Sequence, residues 1–218
     1  GTRSSLIPSS NAPRNNLGAD GLTFNDDGFS IGWAGGDIDS SNDYVAWTFR
    51  EAPGFFDVQT WAGNDVAGRT ISHNLGSTPG MIILKKTSSG GINRNWWCWH
   101  KSISSTPIIL NQTAAAGNYN GIFGSLSSTS FAIGSDSDEN TNASGHTYVA
   151  YLFADNPSNQ IKCGSYVGAG YGGKLVTVGF KPHWVMIKKA TGTGDWVIVD
   201  STRGNLNELY PNSSNSES

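Results

Sequence analysis

Short apolar runs, bounded by Gly, Pro, Asn or Ser, recur along the whole chain and are rich in Val, Ile, Phe, Tyr and Trp, a composition typical of β-strands. Apolar and polar positions alternate in residues 56–61 (FDVQTW) and 161–166 (IKCGSY), which predicts strands with one buried and one solvated face. Residues 81–84 and 184–187 are continuously apolar, which predicts central strands covered on both faces. The pattern therefore predicts an all-β fold built of antiparallel β-sandwiches.

The apolar blocks also repeat in a fixed order, about 100 residues apart. Residues 44–49 (YVAWTF) match residues 148–153 (YVAYLF), and residues 81–86 (MIILKK) match residues 184–189 (WVMIKK). Further matched blocks, in the same order, are 29–32 with 131–134, 61–63 with 166–168, and 95–100 with 195–200. Self-similarity at a fixed period marks tandem architectures, so the sequence predicts jelly-roll-like β-sandwich repeats of about 100 residues.

The phase of the repeat divides the chain into three parts. Residues 54–156, the central segment, correspond to a complete unit. Residues 1–53, the N-terminal segment, correspond to the later half of a unit, and residues 157–218, the C-terminal segment, to the earlier half of the next. A half-sandwich alone would expose apolar faces and strand edges. We therefore expect the halves either to pack with missing parts of a longer polypeptide or to complement one another between neighbouring chains.

Composition and charge narrow the choice of partners. The 28 glycines indicate many tight turns. The net charge is -3 and the 14 Lys and Arg are scattered, so the chain has no basic patch and we expect no nucleic-acid partner. No apolar run approaches the length of a membrane span, so we expect no membrane insertion.

The residue types that carry catalysis form no recognisable constellation. None of the four histidines has a second His or Cys at metal-ligand spacing, and the chain has no GxSxG elbow. Cys98 and Cys163 align with Ile198 and Val58 of the other copy, so we expect both to be small buried hydrophobes. The sequence therefore favours a protein that is not an enzyme. A polysaccharide depolymerase with a carboxylate pair brought together only by the fold stays open.

Two acidic loops occupy matching places in the repeat, and calcium favours such oxygen-rich loops. Their candidate ligands are Asp37, Asp39, Asp136 and Asp138. The alternative is a solvated loop that keeps the sheet ends soluble, and the sequence favours it. No other cofactor is expected.

The tryptophans suggest a contact surface. Alternation along the strand places Trp96 on one face and Trp97 with Trp99 on the other. Trp96 matches Trp196, which indicates a structural role for the shared residue. Trp97 and Trp99 match valines, so they form either a sugar-stacking or subunit surface or a larger core.

A second matched aromatic pair joins these candidates. Trp61 of the central segment matches Tyr166 of the C-terminal segment. We take both as further candidate contacts for a glycan or a neighbouring subunit.

In combination, the motifs resemble those of a family of uncharacterised tandem β-repeat domains, known mainly from large virion proteins of bacteriophages, including cyanophages. The similar stretches are 56–86, 97–100, 109–117 (ILNQTAAAG), 131–135 (FAIGS), 142–154 (NASGHTYVAYLFA) and 164–204. The resemblance implies a structural virion protein: a tail fibre, an appendage or a capsid decoration. Its expected partners are other copies of itself, other virion proteins and host-surface glycans. A free carbohydrate-binding module is the remaining alternative.

Overall fold

The computed structural model describes residues 3–18, 22–32, 43–119, 121–134, 140–215 and 217. Within these ranges the regular structure is strand, with two short 3-10 helices at Lys101–Ile103 and Pro157–Asn159. The strands are β1 (Arg3–Ser5), β2 (Asn15–Gly18), β3 (Leu22–Asn25), β4 (Gly28–Ile31), β5 (Phe56–Ala62), β6 (Thr70–Ser72), β7 (Met81–Lys86), β8 (Trp97–His100), β9 (Ile108–Ile109), β10 (Phe123–Leu126), β11 (Ser130–Ile133), β12 (Thr147–Phe153), β13 (Trp184–Lys188), β14 (Trp196–Asp200) and β15 (Gly204–Leu209). Their pairings are antiparallel, so the all-β prediction is confirmed.

The central segment contributes two sheets that share one apolar core. The first has the order β5-β12-β7-β8-β9 and the second the order β10-β11-β6. Along β12, the alternate residues Tyr148, Ala150 and Leu152 point into the core, where they meet Phe131 and Ile133 of β11. Burial of these side chains on facing sheets is the main stabilising contribution to this body.

The outer face of the five-stranded sheet is apolar as well. A second buried cluster lies on it, formed by Ile83, Trp96, Cys98, Ile108, Leu110 and Trp196. Leu6 packs against this cluster from the N-terminal segment, and Met186 and Ala190 from the C-terminal segment. The continuously apolar strand 81–84 is therefore covered on both faces, as its sequence predicts.

The C-terminal segment forms a three-stranded sheet of order β13-β14-β15. In it Trp184 pairs with Asp200, as Met81 pairs with His100 in the β7–β8 pair. The two strand pairs thus have the register that the sequence match of 81–86 with 184–189 requires. Val185 and Ile187 are 37% and 39% exposed, so the prediction that 184–187 is covered on both faces is wrong for this strand.

Two blocks that match strands in sequence are not strands. Residues 44–49 match β12 and residues 161–166 match β5, yet neither forms a ladder beyond an isolated bridge at Ile161. In the central segment, β12 and β5 pair with each other. A strand needs such a paired neighbour to satisfy its backbone groups, and neither block has one in this structure. The strand prediction for 161–166 is therefore wrong in this structure.

Candidate functional site

Three of the four predicted contact residues lie inside the central sandwich. Trp61, Trp97 and Trp99 are 7%, 6% and 8% exposed and belong to its core. The Trp61 indole stacks on Tyr148 and donates a hydrogen bond of 2.9 Å to the Thr141 carbonyl. A sugar or another chain does not reach these buried rings. The prediction that they form a contact surface is corrected: these side chains enlarge the core.

Trp97 places a larger side chain in the core than Val197, the residue that matches it in sequence. Its ring packs edge to face on Tyr119, with 4.9 Å between ring centroids, and its Nε1 donates to Asn140 Oδ1 over 3.1 Å. The indole N–H is thus satisfied within the sandwich.

Tyr166 is 48% exposed and lies in irregular structure. It matches Trp61, which is buried where its strand is paired with β12. Tyr166 is therefore exposed because its segment has no partner strand that would cover it. Its role as a glycan contact stays a prediction.

The four candidate calcium ligands, Asp37, Asp39, Asp136 and Asp138, lie outside the described residues, and the calcium site stays a prediction. Among the residues that the structure describes, no group of three or more His, Cys, Asp or Glu is arranged to hold a metal ion. Within the same ranges no helix is long and apolar enough to cross a bilayer.

The cysteines behave as predicted. Cys98 and Cys163 are free thiols, 2% and 9% exposed. Burial raises the pKa of the Cys98 thiol above its ordinary value and raises the pKa of Cys163 to about 12. The prediction that both are small buried residues is confirmed.

The sequence does not reveal one feature, a set of contacts between the segments that occurs twice. Trp96 Nε1 donates to the carbonyl oxygens of Ile7 and Ser10 over 3.2 and 3.0 Å. Trp196 Nε1 donates to the carbonyl oxygen of Ile109 over 3.0 Å. Trp96 lies directly before β8 and Trp196 is the first residue of β14, and each thereby ties its strand's start to a stretch of backbone that lies earlier in the chain.

A lysine contact repeats in the same way. Lys85 Nζ donates to the Asn11 carbonyl over 2.9 Å, and Lys188 Nζ donates to the Thr113 carbonyl over 3.2 Å. Lys85 is only 1% exposed and also donates to the Arg94 carbonyl over 2.7 Å. Burial lowers the pKa of Lys85 to about 8, and repulsion from neighbouring Lys86 adds to the effect.

A backbone hydrogen bond completes the set. The Arg14 amide donates to the Thr87 carbonyl over 3.1 Å, and the Ala116 amide donates to the Ala190 carbonyl over 2.9 Å. We call these tryptophan, lysine and backbone bonds the junction contacts. One set ties residues 7–14 to the central segment, and the other ties residues 109–116 to the C-terminal segment.

An asparagine holds each junction tryptophan in place. Asn111 Oδ1 accepts from the Trp96 amide over 2.9 Å, while its Nδ2 donates to Asn95 Oδ1 over 2.9 Å. Asn212 makes the corresponding bond to the Trp196 amide over 2.8 Å. The junction contacts thus rest on matched supporting bonds in both places.

Phe49 joins the N-terminal segment to both other segments. Its ring centroid lies 5.4 Å from that of Phe56 and 5.8 Å from that of Phe153. It also lies edge to face against Trp184 of the C-terminal segment, at 6.4 Å. Beside it is a cavity of about 620 Å³, open to solvent and lined on one wall by Trp47 and on the other by the outer face of the central sheet.

A polar clasp fixes the boundary between the central and C-terminal segments. The Asp155 carboxylate accepts hydrogen bonds from Lys101 and from the Cys163 amide, and forms an ion pair with Lys162 at 3.1 Å. Partial burial alone would raise the pKa of Asp155, but these bonds hold it below its ordinary value. The carboxylate therefore stays charged and holds residues 161–163 against the end of β12.

The histidines of the described residues are separated and serve local roles. His100 Nδ1 accepts from the Ser102 amide over 3.2 Å, and His183 Nδ1 lies 2.7 Å from Ser201 Oγ. Burial lowers the pKa of His100 and of His73, the latter stacked on Phe131. These side chains form no shared site with each other.

No curated protein and no solved structure matches the chain. A family model described as Domain of unknown function (DUF7483) matches residues 1–218, so it covers all three segments without dividing them. The chain therefore belongs to the DUF7483 family of domains of unknown function.

Proposed function

We propose that this chain is a non-enzymatic structural protein, in which β-sandwich bodies are joined rigidly through the junction contacts. The observation that supports the proposal is the occurrence of the same three kinds of contact at two places in one chain. A repeated junction is what a protein needs if its bodies are to keep a fixed spacing and orientation.

The chemistry of the junction contacts suits this role. Each acceptor is a backbone carbonyl, which is present whatever side chain the residue carries. The donors Trp96 and Trp196 are both 4% exposed, so water does not compete for the bonds. The apolar cluster around them adds a hydrophobic contribution that does not depend on direction. Together they make a rigid connection, which a flexible Gly/Ser linker is not.

We further propose that the structure built in this way is part of a bacteriophage particle, as a tail fibre, an appendage or a capsid decoration. This step rests on the resemblance of the motifs to repeat domains of phage virion proteins. The partners would be other copies of the chain or other virion proteins, and the location the extracellular particle.

The experiment is to locate the chain in particles of the phage that encodes it. Antibodies against the whole chain should label purified virions at one defined position in electron micrographs, and its peptides should appear in the mass spectrum of gradient-purified particles. Peptides found only in the lysate of infected cells, and absent from the particles, would overturn the virion role. Release of reducing sugars from host capsule by the pure chain would replace it with the depolymerase alternative.

Glycan contact remains a separate part of the proposal and rests on Tyr166, because the three tryptophans are buried. Binding of the chain to a host-glycan array, abolished by Tyr166→Ala and kept by Tyr171→Ala, would support it. Both tyrosines are exposed, so the second variant controls for loss of an accessible ring. Equal binding by both variants would remove Tyr166 from the site.

A further inference from the structure

The C-terminal segment has a sheet edge that its counterpart in the central segment does not have. In the central sheet, β7 lies between β12 and β8. Strand β13 matches β7 in sequence and pairs with β14 as β7 pairs with β8. On its other side, β13 has no strand partner among the described residues. An open edge of this kind is a site for the addition of a strand.

The segment that fits this edge is present in the same chain. Residues 44–49 (YVAWTF) match β12 (148–153, YVAYLF), which is the strand that pairs with β7. Val45, Trp47 and Phe49 are 49%, 38% and 42% exposed, although a β12-type strand buries its side chains on both faces of a sheet.

One contact of the expected pairing already exists. In the central sheet, Phe153 at the end of β12 is opposite Met81 at the start of β7. The residues that match them are Phe49 and Trp184, and their rings are in contact at 6.4 Å. Nearby, the Arg203 guanidinium lies 5.9 Å from the centre of the Trp47 ring. The N-terminal segment therefore meets the C-terminal segment at the position where the matched strands would begin to pair.

A two-fold exchange relates the two sets of junction contacts when the N- and C-terminal segments are counted as one body. In this exchange each residue of the central segment is replaced by its sequence match in the N- or C-terminal segment, and the reverse. The bond from Trp96 to Ile7 then becomes the bond from Trp196 to Ile109. Phe49 and Phe153, which exchange with each other, are also in direct contact. Contact between equivalent residues is the mark of a two-fold arrangement, in which each body presents the same surface to the other.

We infer that residues 44–49, which form no ladder in this structure, add in solution to the open edge of β13 within the same chain, so that the N- and C-terminal segments complete a second sandwich facing the first. By the register of β12 with β7, Thr48 is then opposite Val185, and Ala46 is opposite Ile187. The occupant of the edge is this chain's own segment, because Phe49 reaches Trp184 within one molecule. The inference goes beyond the structural role proposed above and does not depend on the virion setting.

Engineered disulfides in the full chain test the register. In a background of Cys98→Ala and Cys163→Ala, the pair Thr48→Cys and Val185→Cys should form a disulfide within one chain under mild oxidation, because opposed residues come close enough for the bond. The matched control is Thr48→Cys with Ile187→Cys, which is off register by two residues. We expect roughly tenfold less disulfide from it, since diagonal residues exceed the span of the bond.

Non-reducing electrophoresis and light scattering then separate the outcomes. A disulfide-bonded monomer for the in-register pair supports the inference. Disulfide-bonded dimers would show that a second copy donates the strand, and would overturn pairing within one chain. Equal yields from the two pairs would overturn the register.

Hydrogen exchange gives a second reading that needs no disulfide. The amides of residues 185–188 that point away from β14 should exchange slowly in the wild-type chain and faster in Ala46→Pro, because proline removes a ladder donor and is excluded from a paired strand. The amides that point towards β14 are bonded in either case. The amides of β12 serve as the control and should not change. Fast exchange of the amides that point away from β14 in the wild-type chain would show that the edge is open, and would refute the inference.

Discussion

The indole N–H of Trp196 donates a hydrogen bond to the backbone carbonyl of Ile109, 87 residues earlier in the sequence, over 3.0 Å. Trp96 makes the matching bond to the carbonyl of Ile7. Because the donors are side chains and the acceptors are backbone, each bond can be removed by one substitution at its tryptophan. The two junctions can therefore be tested separately within one molecule.

We expect Trp96→Phe to loosen residues 7–14 without loosening residues 109–116, and Trp196→Phe to do the reverse. Loss of one buried indole donor, which Trp96 shares between Ile7 and Ser10, costs about 1 kcal/mol, which corresponds to roughly fivefold faster amide exchange where the opening is local. The amides to follow are those of Arg14 and Ala116, which both take part in junction contacts.

The control for these variants is Trp47→Phe, since Trp47 is 38% exposed and takes part in no junction contact. It should leave the exchange of both amides unchanged. If Trp96→Phe accelerates the two amides equally, the junctions are not independent and the bonds do not act locally.

Lys85 should make the stability of the chain depend on pH. Burial, reinforced by Lys86, lowers the pKa of Lys85 from its ordinary 10.5 to about 8 in the folded chain. Below pH 8 Lys85 is protonated in the folded and in the unfolded chain, and the folded chain bears the full cost of burying the charge. Between pH 8 and 10.5 Lys85 is protonated mainly in the unfolded chain, so the free energy of unfolding should rise with pH.

Urea unfolding at several pH values measures this slope. Lys85→Met should abolish a rise on the order of 2 to 3 kcal/mol between pH 8 and 10.5. Lys181→Met, at an exposed position, should leave the slope as it is in the wild-type chain. A slope that survives in Lys85→Met would assign the pH dependence to another group.

The sequence predicts the burial of side chains most clearly for strands whose partner strands are present in the same chain. The burial of residues 81–84 on both faces and the opposite faces of Trp96 and Trp97 follow from the spacing of apolar residues, because both faces of this sheet are covered. Residues 161–166 carry the same alternating pattern and form no strand. Periodicity records which side chains a strand would bury, and it does not record whether a neighbouring strand is at hand.

The candidate site was less accessible to prediction. Trp97 and Trp99 exceed the matching valines in size, and that difference fits either a contact surface or a larger core. The structure shows the larger core. The junction acceptors are backbone carbonyls, which leave no mark on the sequence. Only the donor side chains of the junction contacts could have been recognised in the sequence, because Trp96 and Lys85 recur as Trp196 and Lys188.

The thiols should be protected in the folded chain. Cys98 and Cys163 are buried and their pKa values are raised, so the reactive thiolate is scarce and shielded. With a colorimetric disulfide reagent at neutral pH, we expect both to react at least roughly a hundredfold more slowly than in guanidinium chloride. A third cysteine introduced by Ser165→Cys, at an exposed position, should react at once and provides the internal control. Rapid reaction of two thiols in the native wild-type chain would contradict the burial of Cys98 and Cys163.

Gly80 should tolerate no side chain, although the position that matches it in the C-terminal segment is His183. A Cβ at Gly80 would lie 2.8 Å from Cys163 Cβ and 2.9 Å from Asp155 Cβ, closer than carbon atoms approach. The restriction comes from the polar clasp, which holds residues 161–163 against this point, and not from a backbone conformation that only glycine adopts.

Gly80→Ala should therefore lower the free energy of unfolding by about 1 to 3 kcal/mol, measured by denaturant unfolding. Gly164→Ala is the matched control, because nothing lies within 4 Å of its Cβ, and its unfolding midpoint should not fall. If the two variants have equal unfolding midpoints, residues 161–163 move away from the added methyl group at little cost. The polar clasp then does not fix the boundary between the central and C-terminal segments.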